Sequence, residues 1–455
     1  MNQLIGGRVS PDHTAVRLKP RGMIAPSVRN AFCGPTSKTP PAASSARPEV
    51  KRAGLELLYH VQLSDFLGSA TMSPCSRKLA AASADSVIVV DAKDGTVAMS
   101  SDELGDDPPN VVAWSPDSAW IVSCGDDGYA RLVAIDSGAV VLEHAIAEEP
   151  EPGKRRRCVA SDHAIFADDA TFVAAAGRLI HACAVPSGTL RHALSTDAPV
   201  CALCRSPPNL TAHWAYAAGY KGGVLLVSSR GEHVSQLSSR GHMRSLAVSG
   251  QWLASGGFDG TLELWDVAKR AEAVERPKEA EKTLKAYCGS DGAALAWSVD
   301  GGTLAVTGTR PACFDFTGVE PPHPHRSAAF AAAAYRARPG EPDPVPRVCM
   351  SESAPPQRLA WAPHRETAAT TALATTGTDG MVHVFRPYSL PLRKGGVGNP
   401  SQPQRMKPQF YTYLKADAAH PSGEARSPCA LVWLAESVLA ACYDAGDLVA
   451  WRLVV

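Results

Sequence analysis

Short runs of alternating apolar residues, broken by turn residues, recur along this chain with a period of about forty residues. The clearest copy is GHMRSLAVSGQWLASGGFDGTLELWD at residues 241–266. A Gly-His pair opens it, and an alternating run from Ser245 to Val248 follows. An apolar run from Trp252 to Ser255, a tight turn at Asp259-Gly260 and a run ending in Trp265-Asp266 complete it. Alternation with period two marks β-strands, and Asp-Gly between two such runs suits a tight hairpin. A repeat of this length means that each unit is a supersecondary element, able to bury its apolar faces only against its neighbours.

The same plan returns elsewhere. Residues 111–141 carry Asp127-Gly128 at the turn and Ile135-Asp136 where Trp-Asp would stand, and residues 70–97 carry Asp85 and Val90-Asp91. Residues 164–190 and 201–231 keep the strand rhythm but replace the turn Asp by Gly177 or Gly222. Residues 294–318, 358–388 and 429–455 complete a set of eight units, or seven if one degenerate unit is a decorated loop. A turn Asp stands in five of them, at Asp85, Asp127, Asp259, Asp379 and Asp444.

On these residues the chain resembles WD-repeat proteins, most specifically at 241–266 and over roughly 55–455 as a whole. The resemblance implies an all-β fold, a β-propeller of four-stranded blades. It also implies a bracing chain of hydrogen bonds at His242, Asp259, Ser255 and Trp265: the Asp accepts from the imidazole, the imidazole meets the Ser hydroxyl, and that hydroxyl meets the indole N–H. Polar groups satisfied in this way brace a fold and are not left over for catalysis. The last unit ends after its third strand, while residues 55–63 precede the first unit and have no unit of their own. That segment is expected to supply the missing fourth strand, which removes both open sheet edges.

Three stretches lie outside the units. Residues 1–54 are rich in Pro, Ser and Ala, with Arg8, Arg17, Lys19, Arg21, Arg29, Lys38 and Arg47 against few acids. They read as a disordered tail; an organelle transit peptide is the other reading, against which the Pro-Pro and Gly-Pro steps argue. Residues 319–353 and 389–427 read as insertions between units. The compact cationic run Lys154-Arg155-Arg156-Arg157 follows the acids Glu148, Glu149 and Glu151 and reads as a solvated loop, with a nuclear import signal as the alternative.

Composition narrows the function. With 45 basic and 45 acidic residues the net charge is zero, so no global field draws nucleic acid or an anionic membrane, and direct nucleic-acid binding is not expected. No run of eighteen apolar residues occurs, and membrane insertion is not expected. Twelve cysteines are scattered singly, several within apolar runs, which suits reduced thiols in an intracellular protein of the cytoplasm, the nucleus or both. Cys201 and Cys204 form the only Cys-x-x-Cys and read as core packing; without a second pair they do not make a zinc site. No phosphate-binding loop, nucleophile elbow or His-Glu-x-x-His is present.

The expectation is a non-enzymatic scaffold that binds other proteins through the loops of one face and between units, with no catalytic residue, cofactor or metal. The alternatives are an adaptor recruiting substrates, in a ubiquitin ligase or an RNA- or ribosome-processing assembly, and a propeller-based enzyme or exchange factor. Phosphoinositide-binding and cullin-adaptor signatures fail: Leu392-Arg393-Lys394-Gly395 lacks the second Arg, and Ala268 stands where an Arg would follow Trp265-Asp266.

Overall fold

The structure is a computed structural model that describes residues 51–52, 54–102, 104, 109–125, 127–146, 163–207, 213–239, 243–250, 252–257, 261–267, 282–287, 294–299, 301–307, 312–315, 347–349, 356–363, 372–377, 380–389, 410–424 and 426–454. These residues form eight sheets, antiparallel but for one two-residue strand, and no helix, so none of them builds a helix long and apolar enough to cross a membrane. The first sheet runs Leu67–Met72, Lys78–Ser83, Val87–Asp91, Val97–Ser100; the second Pro109–Trp114, Trp120–Gly125, Tyr129–Ala134, Val140–Ala145. The third runs His163–Asp168, Thr171–Ala176, Leu179–Ala184, Leu190–Ser195; the fourth Val200–Arg205, Tyr216–Tyr220, Gly223–Val227, His233–Ser238. The fifth runs Met243–Ser249, Trp252–Gly257, Thr261–Asp266, Lys282–Tyr287; the sixth Leu295–Trp297, Thr303–Val306, Ala312–Asp315, Arg347–Cys349.

The seventh sheet runs Pro356–Trp361, Leu373–Gly377, Val382–Ser389, Phe410–Ala418, with Lys51–Arg52 parallel to its last strand. In the eighth, Pro428–Ala435, Val438–Tyr443 and Asp447–Val454 are joined by the N-terminal strand Gly54–Gln62. That strand pairs antiparallel with Asp447–Val454 from Gly54 opposite Val454 to Gln62 opposite Asp447. The two expected insertions are shorter than the sequence reading made them. Arg347–Cys349 and Phe410–Ala418 lie inside 319–353 and 389–427, yet each is the fourth strand of its sheet. The reason is physical: a third strand ending in solvent would leave an edge of unpaired N–H and C=O groups, and the chain returns after each detour to cover it.

Side-chain alternation decides how the sheets stack. In the first sheet Ala80, Ala82, Val87 and Val89 pack with Val112, Trp114, Ile121 and Val133 of the second, whereas Leu79, Ala81, Ile88 and Val90 pack with Ala430, Leu434, Ala440 and Leu448 of the eighth. Successive residues face opposite sides of a strand, so inner strands such as Lys78–Ser83 and Val87–Asp91 are buried on both faces and read as apolar runs, while outer strands such as Val97–Ser100 and Leu190–Ser195 are largely exposed. The second strands Leu79-Ala80-Ala81-Ala82, Val173-Ala174-Ala175-Ala176 and Leu439-Ala440-Ala441-Cys442 are almost all small, which lets a sheet press in from each side. Clusters of the same kind join the second sheet to the third, the third to the fourth, the fourth to the fifth and the seventh to the eighth.

The hairpins after the first strands share one device. Ser73, Ser115 and Ser298 are buried, and their hydroxyls accept from the N–H five residues on, of Lys78 at 3.0 Å, Trp120 at 2.9 Å and Thr303 at 2.9 Å. The third residue after each Ser donates back to that Ser's carbonyl, at 2.8 to 2.9 Å, and adopts a left-handed backbone, with φ of 56° at Ser76, 62° at Ser118 and 72° at Gly301. A hydroxyl that closes the turn offsets the cost of placing a serine there.

Candidate functional site: bracing and the seam

His242, Asp259, Asp379 and Lys154 to Arg157 lie outside the described residues, as does nearly all of 1–54. Of the expected bracing chain, Ser255 and Trp265 are described, and both are buried, at 1% and 0% exposure. Among the described residues neither Ser255 Oγ nor Trp265 Nε1 has a hydrogen-bond partner. Leu253, not Ser255, is the register partner of Trp265, while Ser255 pairs with Glu263.

The described turn aspartates work mainly through local contacts. Asp127 accepts from the Tyr129 N–H at 3.0 Å and pairs with Arg131 at 2.5 Å; the buried Arg131 also reaches Glu143 at 2.6 Å. Asp85 accepts from the Ser83 hydroxyl at 3.5 Å, and its carbonyl takes the Leu104 N–H at 2.8 Å. Asp444 acts through its backbone, donating to the Ser427 carbonyl at 3.0 Å and accepting from the Leu67 N–H at 3.3 Å.

The tryptophans that tie sheet to sheet are different ones, and sequence reasoning missed them. Trp114 Nε1 donates to the Thr71 carbonyl at 3.0 Å, Trp297 to Ala247 at 3.2 Å, Trp361 to Ala296 at 3.0 Å and Trp433 to Ala360 at 3.0 Å. Each indole sits on the first strand of one sheet and bonds to the first strand of the preceding sheet. First strands are sheet edges, so the bond satisfies a carbonyl that no neighbouring strand can reach. A signal was available: Ala113-Trp114, Ala296-Trp297 and Ala360-Trp361 recur at one place in the repeat, with Val432-Trp433 matching.

The densest polar cluster of the described residues is at the seam between the N-terminal strand and Asp447–Val454. Asp447 is buried, at 2% exposure. His60 Nε2 lies 2.8 Å from its Oδ1, Arg426 Nη1 donates to its Oδ2, and His420 Nε2 stands 3.8 Å from that same Oδ2. His420 is buried, with its Nδ1 2.8 Å from the Ser422 hydroxyl and accepting from the Ser422 N–H at 3.2 Å, while its Nε2 has no hydrogen-bond partner. Its ring meets His60 edge-on at 5.2 Å and Tyr443 at 4.7 Å. Burial holds the His420 imidazole below its ordinary pKa, with Asp447 opposing and Arg426 and His60 adding to the effect.

The nitrogen and carboxylate atoms of His60, His420 and Asp447 lie within 4.8 Å of one another, close enough to raise the question of a metal. Two observations favour an ion-paired knot instead. The guanidinium of Arg426 already brings positive charge to the carboxylate, and an Nδ1 that accepts a backbone N–H leaves the proton on the Nε2 that a metal would need bare.

Close by, Gln62 Nε2 donates to the carbonyls of Ser64 at 2.6 Å and Ala445 at 2.7 Å, and the Leu63 N–H donates to Gly446 at 2.9 Å. Gly446 has φ of 90°, and a Cβ there would collide with the Ser64 carbonyl, so glycine is required at the turn.

Two further groups carry side chains capable of chemistry. Cys201 lies at an irregularity of its strand, between Val200 and Ala202, and Cys204 in the regular part, where burial pushes its thiol up to about 12. His144 Nε2 and His181 Nδ1 meet at 3.0 Å between the second and third sheets, both held below the ordinary imidazole range by burial.

The family model described as WD domain, G-beta repeat matches residues 105–133 and 231–266. No curated protein matches the chain. Among solved structures, the C-terminal WD40 domain of Sif2 is similar with a TM-score of 0.58 at 14% identity, covering 88% of this chain and 98% of that one. The computationally designed Ika8 protein gives 0.57 at 14% identity, over 88% of this chain and all of that one (100%). The β-propeller domain of Cps50 (Swd1) from Myceliophteria thermophila gives 0.50 at 12% identity, over 88% and 99%. At these identities the likeness is one of fold.

Proposed function

We propose, from the premise that this chain is a WD-repeat β-propeller protein, that it is a non-enzymatic scaffold holding other proteins together in an assembly. WD40 propeller domains in general mediate protein–protein interactions, and this reading applies that role to the present chain. The observation that carries it is where the polar side chains described above are spent. The hydroxyls of Ser73, Ser115 and Ser298 close hairpins, the indoles of Trp114, Trp297, Trp361 and Trp433 tie sheets together, and Asp447 knots the seam. A frame stiffened in this way suits the presentation of loops better than it suits chemistry.

In this reading the eight sheets are the blades of one ring, with the N-terminal strand completing the last blade. Support comes from the register of Gly54–Gln62 on Asp447–Val454 and from the apolar cluster shared by the first and eighth sheets. The bracing role of His242 and Asp259 belongs to the same proposal. The test is purification of the tagged chain from its native source. A stable complex with other polypeptides in fixed ratio supports the scaffold, and a monomer that turns over a substrate overturns it.

A further inference from the structure

The seam joins residues 387 positions apart, His60 and Asp447, through one buried carboxylate. From the N-terminal strand that carboxylate meets His60; from the segment ahead of the eighth sheet it meets Arg426 and His420, with Glu424 3.5 Å from Arg426. From the second strand of the sheet the Tyr443 ring closes over His420. One carboxylate is thus shared by one permanent cation and two imidazoles, with the more exposed Glu424 turned toward the arginine.

We infer that this knot is an acid-sensitive latch: protonation of His420 loosens the strand Gly54–Gln62 from Asp447–Val454. The geometry fixes where the proton must go. Because Nδ1 of the neutral ring accepts the Ser422 N–H, the second proton arrives at Nδ1, where it faces that N–H and finds an acceptor only if the Ser422 hydroxyl, 2.8 Å away, reverses its bond. The new cation also stands with Arg426 and against the His60 ring around a single buried carboxylate. His420 then has reason to turn out of its site. Its ring packs edge-on against His60, so the movement reaches the side chain whose bond to Asp447 crosses the seam. The consequence is an N-terminal strand that opens below neutral pH while the other sheets stay folded, baring the edge of Asp447–Val454.

Hydrogen exchange read by mass spectrometry on the full chain tests this, as protection factors at pH 7.5 and pH 5.5. In the wild type, protection of residues 54–62 should fall more than tenfold further than that of Trp252–Gly257 in the fifth sheet; any smaller difference overturns the latch. His420→Asn keeps an acceptor for the Ser422 N–H but does not titrate, and it should bring the two segments to within threefold of each other. A larger difference remaining in that variant overturns the role of His420. If His420→Asn does not fold, Arg426→Gln removes one of the competing cations and should move the opening to lower pH. Opening at the wild-type pH, or above it, refutes the charge argument.

Discussion

Replacing Trp433 by Phe and, separately, Trp265 by Phe separates an indole that ties two sheets from one that, among the described residues, makes no hydrogen bond. Both side chains are buried, Trp433 at 5% exposure and Trp265 at 0%, so both substitutions remove about the same volume, worth about 1 kcal/mol of cavity. They differ in the nitrogen. Trp433 Nε1 donates to the Ala360 carbonyl at 3.0 Å on an edge strand, and its loss removes the bond and strands the carbonyl, for a further cost of about 1–3 kcal/mol. Trp265 Nε1 has no partner among the described residues, and removing a buried unsatisfied donor returns part of the cavity cost. Trp433→Phe should therefore cost about 3 kcal/mol and Trp265→Phe less than about 1 kcal/mol. For a folded unit the length of Pro48–Val455, with an unfolding entropy of roughly 0.8 kcal/mol/K, the first corresponds to a drop in Tm of about 4 °C and the second to about 1 °C or less. Thermal melts followed by far-ultraviolet circular dichroism resolve that gap. A Trp265→Phe variant that melts at or below Trp433→Phe would refute the assignment of the bracing to first-strand tryptophans.

Gly446→Ala forces a side chain onto a backbone with φ of 90° and into the Ser64 carbonyl, and should cost at least about 2 kcal/mol. Gly423→Ala, at φ of 74° with open space around it, should cost about half that; equal losses in chemical denaturation would show that the seam contact is immaterial. Stability should also fall in acid. Burial pushes His163 down to about 4 against 6.5 when unfolded, so the unfolded chain takes up its proton first. The stabilisation is complete above 6.5 and is lost as pH falls toward 4, by about 2 kcal/mol at pH 5, and a His163→Gln variant whose stability falls as steeply as that of the wild type between pH 7 and 5 would contradict this. Among the described cysteines, Cys75 is exposed and the Ser73 hydroxyl lowers its pKa, whereas burial raises Cys204 and Cys442. Brief iodoacetamide treatment with peptide mapping should label Cys75 ahead of those two, and the reverse order would contradict the burial pattern.

The sheets were legible because the determinant is local. Strands buried on both faces write themselves as apolar runs, and hairpins require Ser, Asp or Gly at fixed places, as at Ser115 and Asp127. The fourth strands Arg347–Cys349 and Phe410–Ala418 were hidden because long detours separate them from their sheets. Trp265 drew notice through its motif, while the tryptophans that carry the inter-sheet bonds are marked only by a recurring Ala-Trp. The seam was not legible at the level of side chains. His60, His420, Arg426 and Asp447 belong to no motif, and only the return of the chain on itself brings them together.

In the proposed ring Gly54–Gln62 and Asp447–Val454 share one sheet, and a cysteine pair tests that directly. Glu56 and Arg452 are register partners and both are exposed, so cysteines there disturb little. In the variant carrying Glu56→Cys and Arg452→Cys, mild oxidation of the monomer should join the two positions within one chain, detected as a single 56–452 disulfide-linked peptide. A folded monomer that yields no such peptide, or yields it only between two chains, would contradict the closed arrangement.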